Sequence, residues 1–179
     1  MERTIVLKNG ETLVLRPPVP EDAAAAKDYL AIVGAETDYL YLDSDGIPGL
    51  TIEGEREYLL SSIADPRIAM YLGFVGNRPV AMFDLRPDGN RPRIAHNGTL
   101  ALSIVKDYWH MGIGTLAMEM LLDAGKKLGY RTLHLAVNAE NERAVRLYER
   151  FGFERVGLHR GYTFVSGRYM DQLLMDRML

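Results

Sequence analysis

Leu102-Ser103-Ile104-Val105-Lys106-Asp107-Tyr108-Trp109-His110-Met111-Gly112-Ile113-Gly114-Thr115 is the stretch whose reading decides the fold. An apolar, partly β-branched run stops at Lys106-Asp107, a short turn carries Gly112 and Gly114, and an amphipathic segment begins at once: strand, tight turn, helix. Ile113, Leu116, Ala117, Met120, Leu121, Ala124 and Leu128 recur at helical steps and line one face, and Gly129 is the stop. The first turn of such a helix has main-chain N–H groups without intrahelical partners and carries partial positive charge. Glycine lets the chain turn sharply and lets a ligand oxygen come close to the backbone, so a phosphate or pyrophosphate is the natural guest of donors from Met111 to Thr115. Taken alone, Gly-X-Gly before a helix serves equally as plain turn chemistry.

Working outward, His96 to Val105 supplies the strand before the turn, and Thr132 to Val137 is a second apolar run. Strand, helix, strand is a crossover unit, which places these two strands parallel and adjacent. Next comes Asn141-X-X-Ala144-X-X-Leu147-Tyr148-X-X-X-Gly152-Phe153, another helix and the start of a strand. This succession resembles the GCN5-related N-acetyltransferase (GNAT) superfamily, most closely over residues 96–160. The elements before and after fit the same order, so the resemblance extends over residues 1–179 as a single N-acetyltransferase domain. One departure stands out: Trp109 occupies the position where that superfamily most often carries Arg or Gln.

The resemblance implies a mixed α/β acyl-CoA N-acyltransferase fold. Its central sheet is mixed and mostly antiparallel, of about seven strands, with a splayed parallel pair and helices on both faces. It implies acetyl-CoA as cosubstrate, no metal, and a primary amine that attacks the thioester directly. Pantetheine amides are expected to pair with the main chain at Leu102 and Ile104, the diphosphate to sit on Met111, Gly112, Ile113, Gly114 and Thr115, and Tyr148 to be the general acid. Asn138, Asn141 and Ala144 are the expected neighbours of the cofactor on the other side. Asn141 also reads as a helix cap and Asn138 as a strand-end turn residue, and Tyr148 with Leu147 and Phe151 also reads as sheet packing. Arg143, Arg146 and Arg150 recur on one helix face, either toward the phosphates or as a solvated face paired with Glu142 and Glu149.

The general base is less defined, because the strand His96-Asn97-Gly98-Thr99-Leu100-Ala101 contains no acid. His96, with a pKa near neutrality, is one candidate. Glu36 and Asp38, in the loop expected to border the acceptor cleft, are the others. That loop, Ala35 to Gly49, mixes Glu36, Asp38, Asp43 and Asp45 with Tyr39 and Tyr41, a composition that favours a cationic amine. A small-molecule amine and a peptide N-terminus both fit. A second reading is a catalytically silent coenzyme A-binding regulatory or interaction module.

Composition bounds these readings. The 179 residues suffice for one core-forming domain, and the absence of cysteine excludes disulfides, thiolate metal sites and a cysteine nucleophile. A net charge of −3 argues against nucleic acid as a partner. No stretch reaches membrane-spanning length and the first residues lack a long apolar core, which leads to the expectation of a cytoplasmic protein without a membrane partner.

The remaining elements follow from local signals. Asn9-Gly10 between two β-branched runs predicts a two-residue hairpin turn, and Pro20-Glu21-Asp22 opens a helix to about Val33 or Gly34. Thr51 reads as the cap of a helix broken at Asp65-Pro66. Ile68–Val75 and Pro79–Leu85 read as a hairpin, and Glu154–Val165 and Tyr169–Met178 as two final strands joined at Ser166-Gly167. The last of these, with Leu173, Leu174 and Met175, either ends inside the sheet or pairs with a second chain in a homodimer.

Overall fold

The structure is a computed structural model that describes residues 2–42 and 47–179; Asp43 and Asp45, two of the acids noted in the sequence, lie outside the described residues. Strands β1 (Arg3–Val6) and β2 (Thr12–Arg16) form the first hairpin. Its connection is one residue longer than Asn9-Gly10 suggests. Leu7 N donates to Glu11 O at 2.8 Å, so the loop spans Lys8 to Gly10. Gly10 takes φ 87°, the left-handed position that closes such a loop.

A 3-10 turn at Pro20–Asp22 leads into α1 (Ala23–Ala35), and α2 (Ile52–Ala64) begins where the Thr51 hydroxyl accepts from Gly54 N at 3.0 Å. β3 (Ala69–Val75) and β4 (Arg78–Pro87) form the second hairpin, followed by β5 (Asn97–Ile104). Then come α3 (Ile113–Lys127), β6 (Thr132–Asn138), α4 (Glu142–Arg150), β7 (Glu154–Val165) and β8 (Arg168–Met178). Gly129, at φ 79°, stops α3, and Tyr130 N donates back to Gly125 O at 3.0 Å in the pattern of a glycine C-cap.

Among the described residues eight strands form one sheet in the order β1-β2-β3-β4-β5-β6-β8-β7, one more than the seven or so expected. Only β5 and β6 run parallel, as the crossover rule requires. β8 lies between β6 and β7, so Leu173, Leu174 and Met175 are paired on both sides within the chain and are not an edge open to a partner.

Helices cover both faces. An added Cβ on Gly125 of α3 would stand 3.3 Å from Leu85 and 3.4 Å from Leu133, so α3 packs on the face carrying those side chains. By strand alternation Met82, Asp84 and Ser103 point to the opposite face. There the Tyr29 hydroxyl of α1 meets Ser103 Oγ at 2.8 Å. Leu13, Leu72, Leu85, Leu121 and Leu133 are all fully buried, each stabilising the fold by about 1.5–3 kcal/mol.

Candidate active site

The ladder between β5 and β6 stops early. Asn97, Gly98 and Thr99 pair with Thr132, Leu133 and His134, and no pairing follows. On its other side β5 stays bonded to β4 as far as Val105, whose N–H donates to Val80 O at 3.0 Å, while Asp88 N donates to Asn97 O at 3.2 Å. Main-chain groups alternate in direction along a strand, so odd-numbered residues here face β4, and Leu100, Leu102 and Ile104 face the gap left by β6. Buried backbone groups require partners. The gap opens into a cleft of about 1000 Å³ lined by Leu102, Ile104, Val137, Asn141 and Tyr148, among others. A chain with spaced amides fits such an unpaired strand as an added strand would.

At the far end of β5 the cleft meets the first turn of α3, where Gly112, Ile113, Gly114 and Thr115 line it. Gly112 has φ 88°, and a Cβ built there would touch nothing within 4 Å: the space it would fill belongs to the cleft. Gly114 differs. Its Cβ would stand 3.1 Å from Leu147 of α4, so this glycine serves helix packing as well as access. Met111 packs its side chain against the core and is not among the side chains of the cleft wall. These features, open space at a left-handed glycine beside a helix N-terminus and a strand with free amides, fit a diphosphate carrying a pantetheine arm.

Trp109 is turned inward. Its indole Nε1 donates to Ile104 O at 2.8 Å, occupying one of the main-chain acceptors that face the gap, and Arg143 of α4 lies over the ring with its guanidinium carbon 3.4 Å from the centroid. Burial lowers the pKa of Arg143. Arg150 donates to Thr115 Oγ1 at 2.6 Å, which brings a second guanidinium to the α3 N-terminus. Arg146 pairs with Glu142 at 2.8 Å at the exposed rim of the cleft.

The α4 helix presents its apolar stripe inward, with Val145 and Tyr148 buried. Tyr148 is 7 % exposed, its ring meets Phe153 edge-on at 6.1 Å, and its residue lines the cleft. Burial, the sole cause, pushes its phenol up to about 12. Against the ordinary value near 10 that makes it a weaker donor, but one that keeps its proton throughout the physiological range. Asn141 caps α4, its Oδ1 accepting from Ala144 N at 3.2 Å, and both residues line the cleft, so the amide N of Asn141 is left to face it. Asn138 is buried and turned to other work: Oδ1 accepts from Glu140 N at 2.9 Å and Nδ2 lies 3.6 Å from Met170 Sδ.

The sequence-derived base candidates are not gathered into the cleft. His96 is exposed at the start of β5, the end remote from Gly112, and its carbonyl accepts from Arg131 N at 2.8 Å. Glu36 caps the turn after β5, Oε2 accepting from Lys106 N at 2.6 Å, and Asp38 is exposed. The carboxylate that does line the cleft, and the only one among the described residues that does, is Asp84 of β4. Its burial raises its pKa, with Arg86 opposing. A lone acid interrupting the apolar run Val80 to Leu85 was the available signal, since a buried charge in such a run needs a reason.

Comparison with known proteins places these features in context. Residues 36–153 match the family model described as Acetyltransferase (GNAT) family. The solved acetyltransferase of the GNAT family from Streptococcus pneumoniae is 31% identical and superposes with a TM-score of 0.87, covering 93% of this chain and 99% of that one. The [Ribosomal protein bS18]-alanine N-acetyltransferase of Escherichia coli strain K12 is 34% identical over 74 residues, 41% of this chain; the chain thus spans about half (50%) of that relative's length. The phosphinothricin N-acetyltransferase of Streptomyces coelicolor is 27% identical over 167 residues, 92% of this chain and 95% of its own.

Proposed function

The chain belongs to the acetyltransferase (GNAT) family, and from that premise we propose that it is an acetyl-CoA-dependent N-acetyltransferase acting on a primary amine. The observation that carries the reading is the early end of the β5–β6 ladder beside the α3 N-terminus, which leaves Leu102 free to pair with a pantetheine arm whose diphosphate rests on Gly112 to Thr115. Acetyl-CoA supplies the activated acyl group. The main-chain donors of the α3 turn hold its anionic part, with Arg143 and Arg150 adding charge from α4. Asn141 and Ala144 border the slot opposite β5.

Tyr148 is the proton donor in this reading. Its burial keeps the phenol protonated until sulfur develops negative charge as the C–S bond breaks, and its place on the cleft wall puts it within the same space as Leu102. A free main-chain N–H of β5 facing the gap is suited to the developing oxyanion, a type of contact worth about 3 kcal/mol of barrier in acyl transfer. The relatives named above act on a ribosomal-protein alanine and on phosphinothricin, so both a peptide N-terminus and a small molecule are precedents for the acceptor.

The hydrogen bond of Trp109 to Ile104 O supports a second reading, a coenzyme A-binding module without turnover, because it withdraws one pairing group from the arm. One assay separates the two: thiol release from acetyl-CoA in the presence of a panel of primary amines. Release with any amine supports the enzyme, whereas tight acetyl-CoA binding without release across the panel supports the module.

A further inference from the structure

On the face of the sheet away from α3, Asp84 pairs in register with Ala101, two residues beyond Thr99, where the β5–β6 ladder ends. It therefore stands beside the stretch of β5 along which the thioester is expected to lie. Cross-strand partners have Cα atoms about 5 Å apart, so the Asp84 carboxylate stands over the sheet face next to Ala101. Asp84 is 8 % exposed, and Arg86 Nε holds Oδ1 at 2.8 Å, while Oδ2 has no hydrogen bond to a described residue. Arg86 is itself anchored by its hydrogen bond to the Tyr58 hydroxyl of α2. The basic side chains of the cleft wall, Lys8, His110, Arg143, Arg146 and Arg150, belong to the β1–β2 turn, the α3 approach and α4. Among the described residues the cleft is thus polarised, its single carboxylate standing on β4.

The remaining wall is apolar at Leu30 and Val33 of α1, Leu40 and Leu42 of the following loop, and Met82 of β4, and polar at Thr37, Tyr39 and Ser103, the last already engaged by the Tyr29 hydroxyl. Tyr41 of that loop hydrogen-bonds Gln172 of β8 and packs on Tyr162 of β7 with ring centroids 5.9 Å apart. Tyr41 thereby ties its part of the loop to the last hairpin.

We propose, resting on the acetyl-transfer reading above, that Asp84 is the catalytic base that receives the acceptor as an ammonium ion, and that the acceptor is a primary amine joined to an apolar body. The ammonium yields one proton to Asp84 Oδ2, and the freed nitrogen lone pair forms the N–C bond to the thioester carbonyl. The C–S bond then breaks, its electrons leave on sulfur, and sulfur takes the Tyr148 proton. The second N–H proton of the adduct restores the phenol, and the proton on Asp84 passes to water. Each turnover converts R–NH3+ and acetyl-CoA into the amide, coenzyme A and one released proton.

The test uses the full chain, acetyl-CoA and a thiol reagent, with 2-phenylethylamine and ethanolamine as acceptor probes. Wild type is expected to prefer 2-phenylethylamine by about tenfold or more in kcat/KM; equal or better use of ethanolamine overturns the acceptor class. Asp84→Asn is expected to lower kcat/KM by about 100-fold or more, with acetyl-CoA affinity, read from the fluorescence of the lone Trp109, changed less than about threefold. Asp84→Glu is expected to recover part of the loss. If Asp84→Asn does not fold, the wild-type pH profile decides. The groups that bear on Asp84 are Arg86 of its own strand and Tyr58 of α2, which in turn feels Glu55. An enzyme that binds the ammonium and deprotonates it shows kcat/KM level once Asp84 is ionised and up to the pKa of the amine. An enzyme that takes only free amine from solution shows about a tenfold rise per pH unit over that range, which overturns the role of Asp84. Wild-type turnover with a folded Asp84→Asn variant within threefold of wild type overturns the Asp84 assignment alone. Absence of thiol release by wild type with every amine removes the acetyl-transfer reading and this role together.

Discussion

Replacing Tyr148 by phenylalanine removes one hydroxyl and leaves the ring packed against Phe153 at 6.1 Å. Among the described residues no charged or hydrogen-bonding neighbour perturbs that hydroxyl, only burial. The fold therefore loses no established hydrogen bond, and the expected stability change is under about 1 kcal/mol, a shift of no more than about 4 °C in Tm for a chain of this size. Chemistry is a different matter. If the phenol delivers the proton to the leaving sulfur, its loss removes a general acid worth about 10²- to 10⁴-fold in rate, or about 3–5 kcal/mol of barrier. The asymmetry between a nearly unchanged Tm and a rate lowered at least a hundredfold is what identifies a proton donor, because a side chain that only packs shifts both little. The assay is thiol release at saturating acetyl-CoA together with a cofactor titration by Trp109 fluorescence. A Tyr148→Phe enzyme turning over within threefold of wild type, with unchanged cofactor affinity, refutes the role.

Three further outcomes are expected. Gly112→Val places a side chain where φ is 88° and where the wall is otherwise open; the backbone strain costs about 1–3 kcal/mol, and calorimetry should show acetyl-CoA binding abolished. Gly98→Ala is the contrasting case, since its Cβ would stand 2.9 Å from Leu85 and 3.1 Å from Tyr130, away from the cleft; it should lower Tm while leaving the dissociation constant for acetyl-CoA unchanged. Finally, Tyr148 retains its proton in the native state up to about pH 12, whereas in the unfolded chain it ionises near pH 10. Above pH 10 the unfolded state binds fewer protons, so stability falls as pH rises through that window, and denaturant titrations at pH 9 and 11 should show a smaller loss for Tyr148→Phe than for wild type.

The segments that fix the architecture announce themselves in local chemistry. The stripe from Ile113 to Ala124, the glycine stop at Gly129, Thr51 and Asn141 as caps, and Ser166-Gly167 as a tight turn each satisfy a requirement of a few neighbouring residues, and all stand where expected. What escapes is whatever depends on distant pairing. The point at which β5 leaves β6 is a matter of sheet twist and of what fills the gap, and no spacing in Leu100 to Ile104 records it. Glu36 reads as an acid in a loop, yet its partner is the N–H of Lys106, far along the chain. His96 stands just ahead of β5, and the length of that strand separates it from the glycine turn. In the sequence Trp109 is only a departure from the superfamily's Arg or Gln, and its bond to Ile104 O and its stacking under the Arg143 guanidinium come from distant packing. Asp84 needed only the question of why a carboxylate stands between Phe83 and Leu85.

The placement of β8 between β6 and β7 has a bearing on how the molecule is made. During synthesis on the ribosome the first six strands and α3 can assemble as they emerge, but β6 keeps a raw edge and β7 has no neighbour until Arg168 to Met178 has left the exit tunnel. The α4 helix, which carries Tyr148, is threaded between those two strands in the chain, so the wall it forms is fastened last. A nascent chain stalled before β8 should therefore remain open to proteases around α4 while its first half is already resistant, and the capacity to hold a ligand should arrive in a single step with the final strand.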